Sequence, residues 1–374
     1  LKKVTLVLPV LAHYRVALLT LLSKELAKRK IVLTVITGTN AGKKSIKEIE
    51  DTPFKLIRNK TSGLTIAKLA IQWQKGLITS VKKSNPDKVI ILYHAGKINY
   101  NLLLLILQSR KIPYVLWGSG SGDRRTDLST LQRKMKSLFK YLFIKNASAY
   151  LTYGTRFSEQ LKRQGYPENR IFLAQNTINV EEIYNHLTPN KVPTESKELH
   201  FLFVGVIFAK KRLDTAIKAF GQLASKGFRF KFDVVGNGEI IGDLKTLAES
   251  EGIAAHVEFH GPKYADELAT LFKKADVFIL PGTGGLAINE AMAYSLPIIT
   301  TPGDGTAYDL VYKGRNGFIL DFDYSQEVLE ASIEYFFNIP KEGLRQMGKE
   351  SLNIIKEKAS LSNLVNQIIK SLES

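Results

Sequence analysis

The stretch Pro281–Pro297, PGTGGLAINEAMAYSLP, sets a carboxylate and a row of backbone amides where they could hold a phosphorylated ligand. The apolar run 276–280 before it has the length and the β-branched and aromatic content of a buried strand. Pro281 and Gly282 stop the strand, Thr283, Gly284 and Gly285 make a turn, and Leu286–Leu296 has the alanine-rich pattern of a helix. Open α/β sheets bind ligands at such strand-to-helix turns, because N–H groups at a helix start lack intrahelical acceptors and attract phosphate. Glu290 lies one helical turn past Leu286, within reach of a ribose diol whose hydroxyls would donate to it. Lys211 opens another predicted helix, Lys211–Lys226, where a cation opposes the helix dipole unless an anion sits nearby.

Further candidates lie in the first half. His13 and His94 each follow the end of a predicted strand, with Arg15 and Lys97 close behind them. All four are candidates for touching a phosphate or an acceptor hydroxyl, His13 and His94 with a catalytic part. For a lone histidine the competing reading is structural, and for His256 and His260 it is the preferred one. The spacing of His, Asp and Glu suggests no metal site, and cysteine is absent, so thiolate ligands and disulfides are excluded. No cofactor is expected.

These residues must be carried by strands alternating with helices. Strands are predicted near 3–9, 31–37, 54–58, 89–93, 114–117, 150–153 and 171–174, with helices from about 15 to 28, 64 to 83 and 101 to 110. The polar, proline-containing segment 186–198 reads as a linker. A second series of strands follows near 201–206, 231–235, 257–259, 276–280, 298–301 and 317–320, with helices between them and an all-helical tail from Ser325. Alternation of this kind implies parallel sheets covered on both faces. The fold class expected is therefore α/β, with one Rossmann-like domain over 1–185 and another over 199–355, their sheets facing a central cleft. A terminal helix, about 356–374, is expected to pack back on the first.

Net charge discriminates among partners. Of the total of +18, residues 1–190 account for +21 (32 Lys and Arg against 11 Asp and Glu), and residues 191–374 for −3 (21 against 24). An excess confined to one half points to an anionic partner of that half, a membrane surface or nucleic acid. Residues 131–146 (LQRKMKSLFKYLFIKN) mix five basic residues with apolar ones, as an interfacial helix would; the predicted helix with Trp73, Lys68, Lys75, Lys82 and Lys83 is a weaker candidate. No zinc pattern, aromatic RNA-binding signature or basic tail supports nucleic acid, and none is expected as a partner. No secretory leader or bilayer-length apolar run is read, which suggests a cytoplasmic location at the inner face of a membrane. The first strand is not followed by G-x-G-x-x-G, which argues against a dehydrogenase.

The second half resembles family 4 (group 1) glycosyltransferases of GT-B fold. The resemblance is carried by Phe203–Phe220, Val234–Ala248, Val257–Gly282 and Gly285–Thr301, and less specifically in the first half by Pro9, His13-Tyr14-Arg15, Trp117–Gly120, Thr152–Gly154 and Gln175–Asn179. By that resemblance Lys211, flanked by Lys210 and Arg212, binds the donor diphosphate; Glu290 binds the donor ribose; Gly284, Gly285 and Leu286 form the turn facing phosphate and sugar; and Gly205 lets the backbone approach the donor. Three positions depart from the pattern. Gly282 stands where the first glutamate of E-x7-E falls, Val206 where an arginine follows the strand, and Ser119 where a subset has histidine. Ser119 joins Arg15 and Lys97 as an acceptor or phosphate candidate. The resemblance implies a retaining, metal-independent transfer of a sugar from a UDP- or GDP-type donor to a glycan or lipid-linked acceptor, the leaving diphosphate helping to deprotonate that acceptor. A GT-B relative of other chemistry, epimerase or inverting transferase, is the alternative; a basic nucleic-acid-binding protein is a remoter one.

Overall fold

In the computed structural model, residues 2–39, 52–66, 69–93, 98–119, 142–185 and 198–374 are described. They form two compact units, one of Leu1–Asn179 with Leu361–Ser374 and one of Val180–Ser360. The expected linker 186–198 and the basic stretch 131–146 lie outside the described residues except for Glu198 and 142–146.

The first unit runs β1 (Lys2–Leu8), α1 (Arg15–Lys28), β2 (Ile31–Gly38), β3 (Lys55–Asn59), β4 (Thr61–Ile66), β5 (Leu69–Gln74), α2 (Leu77–Ser84), β6 (Lys88–Leu92), α3 (Ile98–Ser109), β7 (Tyr114–Gly118), β8 (Ala149–Thr152), α4 (Thr155–Arg163) and β9 (Ile171–Leu173). Its main sheet has the order β3-β2-β1-β6-β7-β8-β9, every pair parallel. Successive strand residues point to opposite faces, and both faces are buried, which is why these strands read as unbroken apolar runs. Leu6, Val35, Ile90 and Val115 pack with Leu18, Leu22 and Leu26 of α1, while Val7, Ile36, Ile91 and Leu116 pack with Leu77 of α2 and Leu103, Leu104 and Leu107 of α3.

One expected element is different. Residues 64–83 do not form a single helix: β4 and β5 make an antiparallel hairpin, and only Leu77–Ser84 is helical. The segment alternates in strand fashion, and Gly76 at φ +76° breaks the chain before α2. The buried Gln74 ties the hairpin down, its amide donating to Leu8 O at 2.8 Å and to the Tyr100 hydroxyl at 3.0 Å.

The second unit runs α5 (Val180–Asn185), β10 (Leu199–Val204), α6 (Leu213–Ser225), β11 (Phe230–Val235), α7 (Ile241–Ser250), β12 (Val257–Gly261), α8 (Ala265–Lys274), β13 (Val277–Leu280), α9 (Leu286–Ala293), β14 (Ile298–Thr300), α10 (Ala307–Leu310), β15 (Gly317–Ile319), α11 (Gln326–Phe337) and α12 (Lys341–Lys358). The last helix, α13 (Leu361–Glu373), returns to the first unit, burying Leu364, Val365 and Ile368 beside α1. The second sheet is also parallel, in the order β12-β11-β10-β13-β14-β15. A phenylalanine cluster fills its core, with Phe220 of α6 4.7 Å from the Phe230 ring and 4.8 Å from that of Phe232. Both units are Rossmann-like. In the second sheet the order reverses between β10 and β13, and the loops leaving their carboxyl ends bound the crevice where such sheets take ligands.

Candidate active site

Both loops at that switch point carry predicted site residues. After β10, Gly205 has φ +157°, and a Cβ there would lie 3.4 Å from the Phe203 ring and 3.7 Å from Lys211 Nζ. The chain then makes a 3-10 turn over Ala209–Lys211 and passes through Arg212 at φ +55° into α6. Lys211 thus stands two residues ahead of the helix and not inside it, contrary to expectation, because the left-handed Arg212 separates the 3-10 turn from α6.

After β13, the glycine turn locks onto the same segment. Thr283 N donates to Lys210 O at 3.0 Å, and Lys211 Nζ donates to Thr283 O at 2.5 Å. A Cβ on Gly282 would overlap Lys210 O and come within 2.6 Å of Lys211 Cα, so the backbones touch and leave no room for a side chain. The absent first glutamate is therefore built into the packing of this loop. The Tyr324 hydroxyl donates to Pro281 O at 2.7 Å and the Thr301 hydroxyl to Gly282 O at 2.6 Å, fixing the turn from behind. Gly285 caps α9 with no side chain of its own to accept from the first-turn amides, of which Ile288 N donates to Gly285 O at 2.9 Å.

Electrostatics mark the two polar side chains. Burial pulls the Lys211 ammonium down to about 8, and no carboxylate among the described residues pairs with it. Burial also pushes the Glu290 carboxyl up to about 7, with no cation or hydrogen-bond donor among the described residues offsetting it. Charged groups left partly desolvated and unpaired are costly, and they cluster where a ligand supplies the missing partner.

The remaining candidates behave differently. The Arg212 guanidinium donates to Phe322 O and Tyr324 O at 3.2 and 3.0 Å and lies 3.7 Å over the Tyr324 ring, so its hydrogen bonds run to its own unit's backbone. Val206, where the family's arginine would stand, is 54% exposed. In the first unit His13 is exposed just before α1, stacked edge-on to Tyr14. Arg15, expected at an edge, is buried: it donates to the Tyr153 hydroxyl at 3.2 Å and lies 5.0 Å from the Trp117 ring. The aromatic frame takes up the guanidinium plane, which sequence spacing alone does not reveal. Ser119 is partly buried directly after β7; His94 and Lys97 lie outside the described residues.

Strand pairing also assembles a group that spacing did not show. His260 Nε2 lies 2.7 Å from Asp233 Oδ1, and its Nδ1 lies 3.3 Å from Glu258 Oε1, the three ligand atoms falling within 4.8 Å of one another. Asp233 and Glu258 are register partners on β11 and β12, distant in sequence. Sequence reading also missed Asp304, in the loop after β14. Its Oδ2 lies 2.8 Å from where a Cβ on Gly285 would be. A lone Asp-Gly pair past a strand end was its only signal.

Residues 186–353 match the family model described as glycosyl transferases group 1. Over those residues, the second half of the chain, it is similar to the group 1 glycosyltransferases. Relatives of this group include a putative colanic acid biosynthesis glycosyltransferase, WcaL, of Salmonella typhimurium, 28% identical over 197 residues, 50% of this chain and 47% of that one. The chain thus spans about half the length of this curated relative. Among solved structures, a glycosyltransferase from Rickettsia africae superposes with a TM-score of 0.72 at 17% identity, covering 99% of this chain and 97% of its own. WaaG, a glycosyltransferase involved in lipopolysaccharide biosynthesis, gives a TM-score of 0.67 at 17% identity over 98% of both chains. At such identities the likeness bears on the fold alone, and that fold is GT-B.

Proposed function

We propose that this chain transfers a sugar from a nucleoside-diphosphate donor, UDP or GDP in type, to a glycan or lipid-linked saccharide during polysaccharide assembly, with retention of anomeric configuration. The observation that carries the reading is that the segments following the two switch-point strands each hold one desolvated ionisable group, Lys211 and Glu290, neither with an ion partner among the described residues. A diphosphate satisfies the first and a ribose diol the second. The names of the relatives, colanic acid and lipopolysaccharide glycosyltransferases, support the substrate class.

In this reading Lys211 and the first-turn amides of α9 stabilise charge on the departing diphosphate, a contribution that grows as the glycosidic bond breaks. No metal ion is needed for that step. A diphosphate oxygen takes the acceptor proton, so no protein nucleophile is required. The +21 charge of residues 1–190 draws that half to an anionic lipid surface that presents the acceptor. His13 and Arg15, with His94, Lys97 and Ser119, remain its acceptor-side candidates. Thermal melting against UDP-glucose, GDP-mannose and other nucleotide sugars, followed by NMR of the anomeric centre of the product, tests the reading; a protein stabilised by none of them would refute it.

A further inference from the structure

Asp304 is the acid next to the glycine turn, and the role proposed above leaves it unused. The loop after β14 folds against the turn so closely that a Cβ on Gly303, at φ +55°, would overlap Gly284 O. This brings the Asp304 carboxylate over Gly285, with Oδ2 2.8 Å and Oδ1 3.2 Å from the position a Cβ would take there. Its orientation is fixed: the Thr306 hydroxyl donates to Oδ1 at 2.6 Å and the Thr306 amide at 3.1 Å. Lys211 reaches the same turn at Thr283. A cation and a carboxylate therefore both meet the short stretch of backbone from Thr283 to Gly285, just before α9. Gly282, filled against Lys210 and Lys211, contributes no acid of its own.

Resting on the donor reading above, we propose that Asp304 accepts hydrogen bonds from hydroxyls of the sugar carried by the donor, and so selects a neutral sugar. The cation at Thr283 suits the diphosphate. A carboxylate at Gly285 suits hydroxyl donors and repels an acidic sugar.

Asp304→Asn keeps an acceptor for Thr306 while removing the charge, so a purely structural role predicts the same change in affinity for the nucleoside diphosphate as for its sugar derivative. Calorimetric titration with UDP, GDP, UDP-glucose and GDP-mannose separates the possibilities. The proposal expects unchanged affinity for the nucleoside diphosphate, about 10- to 100-fold weaker affinity for its sugar derivative, and a raised donor KM. If the protein takes UDP-type donors, the variant also narrows the wild-type preference for UDP-glucose over UDP-glucuronate. Equal affinity of wild type and variant for the sugar nucleotide overturns the proposal, as does an equal loss for diphosphate and sugar nucleotide. Failure of the wild type to bind any of the four probes overturns instead the donor reading on which it rests. Thr306→Val, which loosens the carboxylate without neutralising it, is expected to raise donor KM while leaving diphosphate affinity unchanged.

Discussion

Lys211 Nζ donates to the carbonyl oxygen of Thr283 at 2.5 Å, joining the loops that leave two neighbouring strands. The contact crosses the switch point of the second sheet, and it holds an ammonium that burial has pulled down to about 8. A cation kept there without an acid lowers the stability of the free protein. Lys211→Met should therefore leave the apo protein at least as stable at neutral pH, higher by about 0.5–2 kcal/mol, while abolishing transfer. Denaturant unfolding of both proteins checks this, and a large destabilisation would contradict it.

The two burial effects carry opposite signs in pH. Lys211 has its folded value near 8, below the ordinary 10.5, so its stabilising share is present above 10.5 and lost as pH falls through 8. Glu290 has its folded value near 7, above the ordinary 4.5, so its share is present below 4.5 and lost as pH rises through 7. Between about 7 and 8 the free protein bears both penalties, and a ligand that pairs with both groups relieves them. Donor affinity should peak in that window, falling above it as Lys211 loses its proton and below it as Glu290 gains one. Titrations at a series of pH values check this; a flat profile from about 6 to about 9 would oppose it.

Gly282 should tolerate nothing larger. Its Cα lies against the Lys210–Lys211 backbone, so Gly282→Ala should cost about 1–3 kcal/mol and lower activity by displacing Lys211. Gly282→Glu, which writes the family's first glutamate back into the chain, should destabilise further and restore no activity. Chemical denaturation of the alanine variant reads out the cost, and full stability would show that the turn has slack.

Glu290→Gln should weaken binding of nucleoside diphosphates about tenfold or more with little change in kcat, because ribose contacts form before the transition state and persist through it. Steady-state kinetics in donor concentration separate the two constants. An unchanged KM would remove Glu290 from the ribose site.

The alternation of strands and helices was legible because both sheets are parallel and buried on both faces, so that each strand is a compact apolar run such as Val89–Ile91 or Val277–Leu280. The hairpin Thr61–Gln74 was not read, although its residues alternate in strand fashion, because its two strands pair only with each other and lie outside the parallel sheet that the βα alternation announces. Gly205, Gly285 and Glu290 could be placed from sequence because their positions are tied to strand ends. Arg15 and Asp304 could not: the environment of each is made by distant segments, Trp117 and Tyr153 for the one and the Gly284–Gly285 turn for the other.

The central claim is that Lys211 meets the donor diphosphate at this switch point. Titrating UDP and GDP into wild type and Lys211→Ala, with melting temperatures recorded for both, tests it most directly. The account predicts one nucleotide bound by wild type and an affinity about 10- to 100-fold lower in a variant that melts normally. Equal affinity in the two proteins would contradict it.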